Sequence, residues 1–500
     1  MKNRISKLVD QYGKPIQAAS TAVAIIPRRA GRMSYDATRD TEEYRRHWAN
    51  ADAFDANSAN SKAVRLKGMQ RSRYEAGSNG MYAGILRTQC NLVIGIGPRL
   101  RMTTKNKNFN DFVEKEFGRW ATRIQLRRKL WCMAHARLMD GEAFALMQTN
   151  PAIPMGRVQL DLTLIEADQV QTPYGPFDDP NYTDGIKRDQ YGNVLWYDVL
   201  KYHPGASQAL LNTEAIRVSP RQMLHWSKLE RPGECRSMPA CISTLNLGAS
   251  ARRFREATLR KAEIQADFAV LLESTLPPED GLLPEQMSSY EIEKAMMTML
   301  PDGTKPSQLK VDTPSAQYRE FNDSHISETA RPISQARNVA AMDSSNSSFA
   351  SGKLDYIAGN LEVDVEREDC TDQVLDPLFE EWFAEWSLVD PRDQGAPDHR
   401  WDFPAHPVID VKADALARDT NLRNGTLTLR QAYNDQGYDF EEKLVEMAED
   451  YFGDSSDANV KKMREILLYT HYAQAAPRNA PALPGTESAA PAAQPVGATK

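Results

Sequence analysis

The chain has 500 residues and a mass of 56.2 kDa, with 41% hydrophobic and 26% charged residues, 27 Gly and 29 Pro. That is enough for two or three packed domains, and it excludes fibrous, collagenous and wholly disordered classes. The formal net charge of −7 hides an asymmetry: residues 1–129 hold 26 Lys+Arg against 11 Asp+Glu, whereas residues 130–500 hold 35 against 57. Surfaces of opposite sign meet different partners, or meet each other between copies.

The longest apolar run near the N-terminus, residues 22–26, is too short for a signal h-region, and nothing approaches a span of about 20 apolar residues. The expectation is a soluble intracellular protein with no membrane contact. Five scattered cysteines (Cys90, Cys132, Cys235, Cys241 and Cys370) contain no Cys-x-x-Cys pair, so reduced thiols are expected rather than a disulfide framework or a zinc module.

In chain order, residues 1–60 lack a sustained period and read as a basic N-terminal arm. Helical spacing runs through 61–93, followed by a glycine-broken strand at 93–98. A largely helical stretch covers 110–146, with a strand possible from 141 to 148. From 158 to 226 the period changes to two, giving strands at 158–165, 194–202 and 223–226 with turns at Asp184-Gly185 and Tyr191-Gly192. The fold class is therefore α+β. A long helical pattern spans 239–272, and at about 1.5 Å per residue it needs neighbours along its sides. Residues 275–314 read as a compact insert with a helix at 285–300 and a strand at 308–312. A helix kinked or started by Pro332 covers 324–342, a polar linker covers 343–348, and a third long helix covers about 353–386. Two helices at 412–450 and one at 459–472 precede a Pro/Ala-rich tail expected to be disordered.

Chemical motifs are weak. Gly95-Ile96-Gly97 lacks the third glycine of a dinucleotide fingerprint, no Gly-Lys-Ser/Thr loop occurs, and the eight histidines never fall at metal-ligand spacing. No cofactor, metal site or enzymatic activity is expected. Cys235 or Cys241 as a nucleophile has no local support. The run Glu362, Asp364, Glu366, Glu368, Asp369 is the strongest candidate: on a helix Glu362, Glu366 and Asp369 share a face and could hold Mg²⁺ in a nuclease. A single helical stripe of acids is more often a solvated or channel-lining face.

The order of elements resembles the tailed-bacteriophage portal proteins of the lambda type, from about residue 57 to residue 450. The resemblance is carried by Asn60-Ser61-Lys62 with Arg65 and Arg71 leading to Val93-Ile94-Gly95-Ile96-Gly97. It continues in Leu164-Ile165-Glu166-Ala167-Asp168-Gln169-Val170, Asp184-Gly185-Ile186, His203-Pro204-Gly205, Met223-Leu224-His225 and Arg231-Pro232-Gly233. Arg236-Ser237-Met238-Pro239 departs from the family's usual Arg-Gly-x-Pro, and Ser348-Phe349-Ala350-Ser351-Gly352-Lys353 from its Asn-Tyr-Ser-Ser-x-Arg. Val411 stands where proline is usual.

The resemblance implies a portal fold. The α/β wing comes from 61–235 and 389–454, stem helices lie at 236–272 and 322–342, and a small α/β clip at 273–321. A tunnel loop at 343–352, a tunnel helix at 353–388, a helical crown at 455–475 and the tail from 476 to 500 complete it. It further implies a ring, expected to be dodecameric, at the unique capsid vertex of a virion assembled in the host cytoplasm. The terminase large subunit, major capsid and scaffold proteins and head-completion adaptors would be partners, with double-stranded DNA passing through the channel. Within that scheme Ser344, Ser345, Asn346, Ser347, Ser348 and Lys353 would face the DNA. Arg252, Arg253, Arg255 and Arg260 would pair between subunits, and Lys305 and Lys310 would face the terminase. A tunnel rich in Lys and Arg would grip phosphate and resist sliding, so an acidic remainder with small polar loop residues suits DNA in transit. Two other readings stay open: a Mg²⁺-dependent nuclease or hydrolase using the 362–369 carboxylates, and a monomeric nucleic-acid-binding protein using its basic N-terminal part.

Overall fold

A computed structural model describes residues 41–153, 157–173, 179, 181–207, 214–267, 271–274, 304–307, 317–345, 347–388 and 396–472. The chain divides into two units, residues 1–55 and 56–500. In the first, the described residues form helix α1 (Glu42–His47), spanned by an exposed Arg46–Glu42 pair of 3.4 Å.

The second unit begins with α2 (Ala56–Ala59), α3 (Lys62–Ser78) and α4 (Gly80–Val93). The helical run expected over 61–93 is broken at Asn79, which leaves helical geometry at φ −115° and caps α4 by accepting from the Met81 and Tyr82 N–H groups. The strand expected at 93–98 is instead a turn, because Gly95 and Gly97 both adopt positive φ, at 53° and 98°. Strand β1 (Arg99–Met102) starts only after Pro98. The stretch expected to be helical from 110 splits into α5 (Lys107–Arg123) and α6 (Leu126–Asp140) at Gln125, where φ is 55°. Gly141 ends α6 at φ 97°; an added Cβ there would stand 2.4 Å from the Met238 carbonyl carbon, so this crossing admits glycine alone.

Strand β2 (Glu142–Thr149) follows at once and forms the middle of an antiparallel sheet with β3 (Leu160–Ile165) on one side. A four-stranded meander joins β4 (Tyr182–Thr183), β5 (Ile186–Arg188), β6 (Val194–Leu200) and β7 (Ala215–Val218). Its first turn, Asp184-Gly185, has φ 40° and 86°, the left-handed pair that a two-residue hairpin requires. Strand β8 (Met223–Ser227) then closes the first sheet on the other edge of β2, with Ala143 opposite Trp226. The α+β class and the strand positions expected between 158 and 226 agree with these sheets to within two residues.

After a 3₁₀ turn at Ile242–Thr244, α7 runs over Leu245–Asp267, shorter at both ends than the expected 239–272, and β9 (Leu271–Ser274) pairs antiparallel with β10 (Thr304–Ser307). The helix expected at 285–300 and the strand at 308–312 lie outside the described residues. Helix α8 (Gln317–Ala330) ends in a 3₁₀ turn containing Pro332, followed by α9 (Arg337–Ala341), so the single helix expected at 324–342 is two. Helix α10 covers Phe349–Cys370, continues through a π turn at Thr371–Leu375 and re-forms as α11 (Asp376–Ser387). Strand β11 (His399–Asp402) pairs with β1. Three helices, α12 (Val411–Arg423), α13 (Leu429–Asn434) and α14 (Phe440–Phe452), replace the two expected over 412–450, and α15 covers Asp457–Tyr472. No helix among the described residues is long and apolar enough to cross a membrane. All five cysteines are free.

The main core lies between the helices α4, α5, α6, α10 and α11 and the β3-β2-β8 sheet. Phe117 sits 5.1 Å from both Trp120 and Trp382 and 5.5 Å from Trp401, tying α5 to α11 and β11. Edge-to-face aromatic contacts of this kind add about 0.5–1.5 kcal/mol each beyond area burial. A smaller cluster around Met69, Phe144, Tyr197 and Met223 joins α3 to the meander. Helices α12 to α15 have a separate core of Leu422, Leu429, Phe440, Leu444, Ala448 and Met463.

Candidate functional site

Two helices and the loop that follows them gather most of the residues singled out in the sequence. Thr244 Oγ1 reaches the Thr329 carbonyl at 3.4 Å, while Phe254 lies 4.7 Å from Phe321 and 6.2 Å from Tyr318. Increasing number on α7 meets decreasing number on α8, so the pair is antiparallel, and β9 and β10 continue it away from the core. Only the base of α7 is sealed, at Leu245 and Ala251; Arg253, Phe254, Leu259, Arg260 and Lys261 are exposed.

The four arginines expected to pair between subunits have different surroundings. Arg252 is engaged within its own chain, 3.2 Å from Glu75 and 5.3 Å over the Tyr74 ring. Arg253 donates to Ser250 Oγ at 3.2 Å and Arg255 to the Ala251 carbonyl at 3.4 Å, so neither spends its charge on a carboxylate, and Arg260 is exposed further along the helix. Lys305 lies on β10 opposite Glu273, whereas Lys310 falls outside the described residues.

The loop from Met342 to Ser348 is fastened at several points. Met342 has φ 52° and is 82% exposed. Arg319 of α8 bonds to Asp343 at 3.2 Å and to the Ser345 hydroxyl, and Arg337 of α9 spans Asp323 and Ser347, both at 3.3 Å. Ser345, through its side chain and its N–H, holds the Asp343 carboxyl below its ordinary pKa. Ser348 accepts from the Ser351 N–H at 3.2 Å and so caps α10, which starts at Phe349 rather than beyond residue 352. Ser344, Ser345, Ser348 and Lys353 are exposed and Ser347 is half-buried; Asn346 lies outside the described residues.

Helix α10 is two-faced in an unusual way. Its buried side carries Val363, Glu366, Arg367 and Cys370. Glu366 meets Arg137 at 2.9 Å and Lys228 at 3.3 Å; Arg367 donates to the carbonyls of Leu92 (2.8 Å), Val93 (3.1 Å) and Pro404 (2.9 Å). The opposite side exposes Leu354, Ile357, Leu361 and Val365, with Leu354 69% and Leu361 66% in solvent. This 3/4-spaced apolar stripe is present in the sequence, interleaved with acidic residues that mask its periodicity. Those acids do not form one cluster. Glu362 bonds to Lys228, Glu366 is buried on Arg137, and Asp364 accepts from His406 at 2.8 Å. Among the described residues Glu166, Asp168 and His203 alone lie close enough together to resemble a metal triad, and Arg73 already sits 2.6 Å from Asp168 and 3.4 Å from Glu166.

Residues 43–363 match the family described as phage portal protein, lambda family. No curated protein matches the chain. Similar solved structures include the neck of an empty gene transfer agent particle computed with C6 symmetry, at 13% identity and TM-score 0.44, covering 75% of this chain and 93% of that one. The virion of a native gene transfer agent particle aligns at 12% identity and TM-score 0.41, covering 75% and 93%. The neck of a native particle computed with C12 symmetry aligns at 12% and 0.42, covering 76% and 94%.

Proposed function

The chain belongs to the lambda family of phage portal proteins, and from that premise we propose that its copies close into a ring, expected to be dodecameric, whose channel carries double-stranded DNA at one capsid vertex. The observation that carries the ring is the apolar stripe on α10. Four large apolar side chains, Leu354, Ile357, Leu361 and Val365, stand in water along one side of a helix whose other side is anchored in the core. Covering such a side chain contributes roughly 1 kcal/mol or more, so the stripe supports on the order of 4 kcal/mol per subunit contact. A face of one copy laid on a different face of the next gives a head-to-tail contact, which closes into a ring when the rotation fits. The exposed Arg253 and Arg260 and the half-buried Arg255 on α7 then pair with acids of the adjacent copy, while Arg252 serves its own chain through Glu75.

The loop 343–348 and Lys353 face the channel in this reading. Its hydroxyls offer DNA phosphates weak, exchangeable partners, and its two cationic anchors are already engaged, Arg319 with Asp343 and Ser345 and Arg337 with Asp323 and Ser347. The β9–β10 end, where Lys305 lies on β10, meets the terminase large subunit; the wing meets capsid and scaffold, and head-completion adaptors follow after packaging. The role is structural rather than enzymatic, and the paired state of Glu362, Asp364 and Glu366 gives the nuclease reading no support.

Mass measurement and negative-stain imaging test the ring. A closed assembly with a central channel is expected for the wild type, and Leu361→Asp is expected to leave a folded monomer with an unchanged melting profile. A wild type that stays monomeric at all concentrations overturns the reading.

A further inference from the structure

Close to half of the basic surplus of the first 129 residues falls in a stretch of 31. Residues 99–129 hold 10 Lys+Arg against 3 Asp+Glu. They build one wall of an open cleft of about 1270 Å³ between the β1–α5–α6 corner and helices α13 and α14, and a second hollow of about 460 Å³ adjoins it, sharing Lys115, Gly118 and Thr122. Four of the ten cations have carboxylate partners: Arg101, Lys107, Arg119 and Lys129. The other six, Arg99, Lys105, Lys115, Arg123, Arg127 and Arg128, are exposed, and none has a carboxylate partner among the described residues.

Their placement runs against what a stable surface would choose. Arg127 and Arg128 occupy the first turn of α6, where the helix dipole disfavours positive charge, and the Gln125 side chain caps no backbone N–H there, its oxygen accepting from Arg128 at 3.4 Å instead. Lys115 and Arg123 project from one face of α5 at a spacing of eight. The acids across the cleft offer no relief. Glu441 is bonded to Lys107 and Arg430, Glu446 to Lys443, and Glu442 stands 3.8 Å from Arg101.

We propose that this wall is a second DNA-binding surface, outside the channel, that holds duplex DNA by its phosphates without reading sequence. Phosphate contact needs exposed Lys and Arg and no apolar centre. A protein partner would call for an apolar or aromatic core to the patch, and Ile96 is the single large apolar side chain exposed among the residues lining these hollows outside α14. The chain thus separates two tasks. On the channel reading proposed above, a loop of small polar residues lets DNA slide, and a separate cationic wall retains it.

Closed circular duplex tests this, because it cannot thread a ring. Binding by the full chain is expected at 50 mM salt and to weaken on the order of 10³-fold at 200 mM, as six phosphate contacts require. Lys105→Gln, Lys115→Gln, Arg123→Gln and Arg127→Gln together are expected to weaken binding at least 100-fold and flatten its salt dependence, with melting profile and assembly mass unchanged. Leu361→Asp, which removes the ring, is expected to keep the binding; this separates failure of the cleft from failure of the ring. Absence of binding at 50 mM salt, or a fourfold variant that binds like wild type, overturns the proposal. Tighter binding of a polyglutamate peptide than of duplex also overturns it, in favour of an acidic protein partner.

Discussion

Arg236 and Glu142 form a fully buried ion pair, with the arginine Nη2 2.6 Å and Nε 2.8 Å from the same carboxylate oxygen. The guanidinium also donates to the carbonyls of Val170 at 2.8 Å, Ala167 at 3.2 Å and Asp184, so one side chain ties the centre of the first sheet to the 3₁₀ turn at 167–169 and to the β4–β5 hairpin. Arg65 of α3 completes the cluster through Asp184 and Glu142. Two cations and two carboxylates balance inside a site sealed from water.

Arg236→Met is therefore expected to cost about 3–5 kcal/mol, because it leaves a buried carboxylate without its main partner. Glu142→Gln should cost a similar amount by leaving two arginines with one acid. The double variant is expected to lose less than the sum. Urea unfolding of the four proteins measures this, and strict additivity would mean that the two groups do not act as a pair.

The same cluster sets a response to acid. Burial pushes the Glu142 carboxyl up, but Arg236, His225 and Arg65 outweigh it and hold the group far below the usual carboxylate range. Burial lowers the His225 pKa despite its contact with Glu142, and the ring stacks on Phe144 at 4.3 Å. In both cases the unfolded chain binds a proton more readily than the folded one, so stability falls with falling pH. The His225 contribution fades as pH drops below about 6.5 and the Glu142 contribution below about 4.5. Unfolding midpoints at pH 7.5, 5.5 and 4 should fall in that order. Glu142→Gln should flatten the step between the last two.

These residues also mark what the sequence could disclose. Arg65, Asp184, His225 and Arg236 were visible as landmarks in chain order, yet nothing in their spacing says that they converge, since they are contributed by a helix, a hairpin turn, a strand and a loop. Period-two runs located β3, β6 and β8 well, because alternating burial is a local property. Helix ends were read less well. Asn79, Gln125 and Ser348 each break or start a helix by one backbone angle or one cap bond, which apolar periodicity does not register. The α10 stripe was hidden by the charges between its members, although Leu354, Ile357, Leu361 and Val365 repeat at helical spacing.

Arg101 offers a test of how the C-terminal helices are mounted. Their core is separate, and Arg101 reaches them at Asp439 (3.5 Å) and Glu442 (3.8 Å) while bonding Glu114 (3.0 Å) and Asp402 (3.3 Å) on its own side. Arg101→Met leaves these acids facing one another and should cost about 2 kcal/mol or more. It should also speed proteolysis between residues 402 and 411 severalfold. Lys107→Ala removes only a solvent-exposed pair with Glu441 and should change stability by about 0.5 kcal/mol at most. Equal effects of the two substitutions would show that Arg101 holds no special place in the joint.

The loop at 343–348 makes the sharpest demand on the channel reading. If Ser344 and Ser345 face DNA in transit, replacing both with Lys adds phosphate contacts at a point where duplex must slide, and each contact strengthens binding and its salt dependence. Ser344→Lys with Ser345→Lys should leave ring mass and melting profile unchanged, since both side chains are exposed and the Ser345 bonds, to Arg319 and Asp343, fasten only a surface loop. Packaging into capsids should stall at low salt and recover partly as salt is raised. Ser344→Ala with Ser345→Ala should package normally, because sliding needs the absence of strong partners rather than the presence of hydroxyls. Undiminished packaging by the lysine pair at low salt would remove the loop from the channel wall.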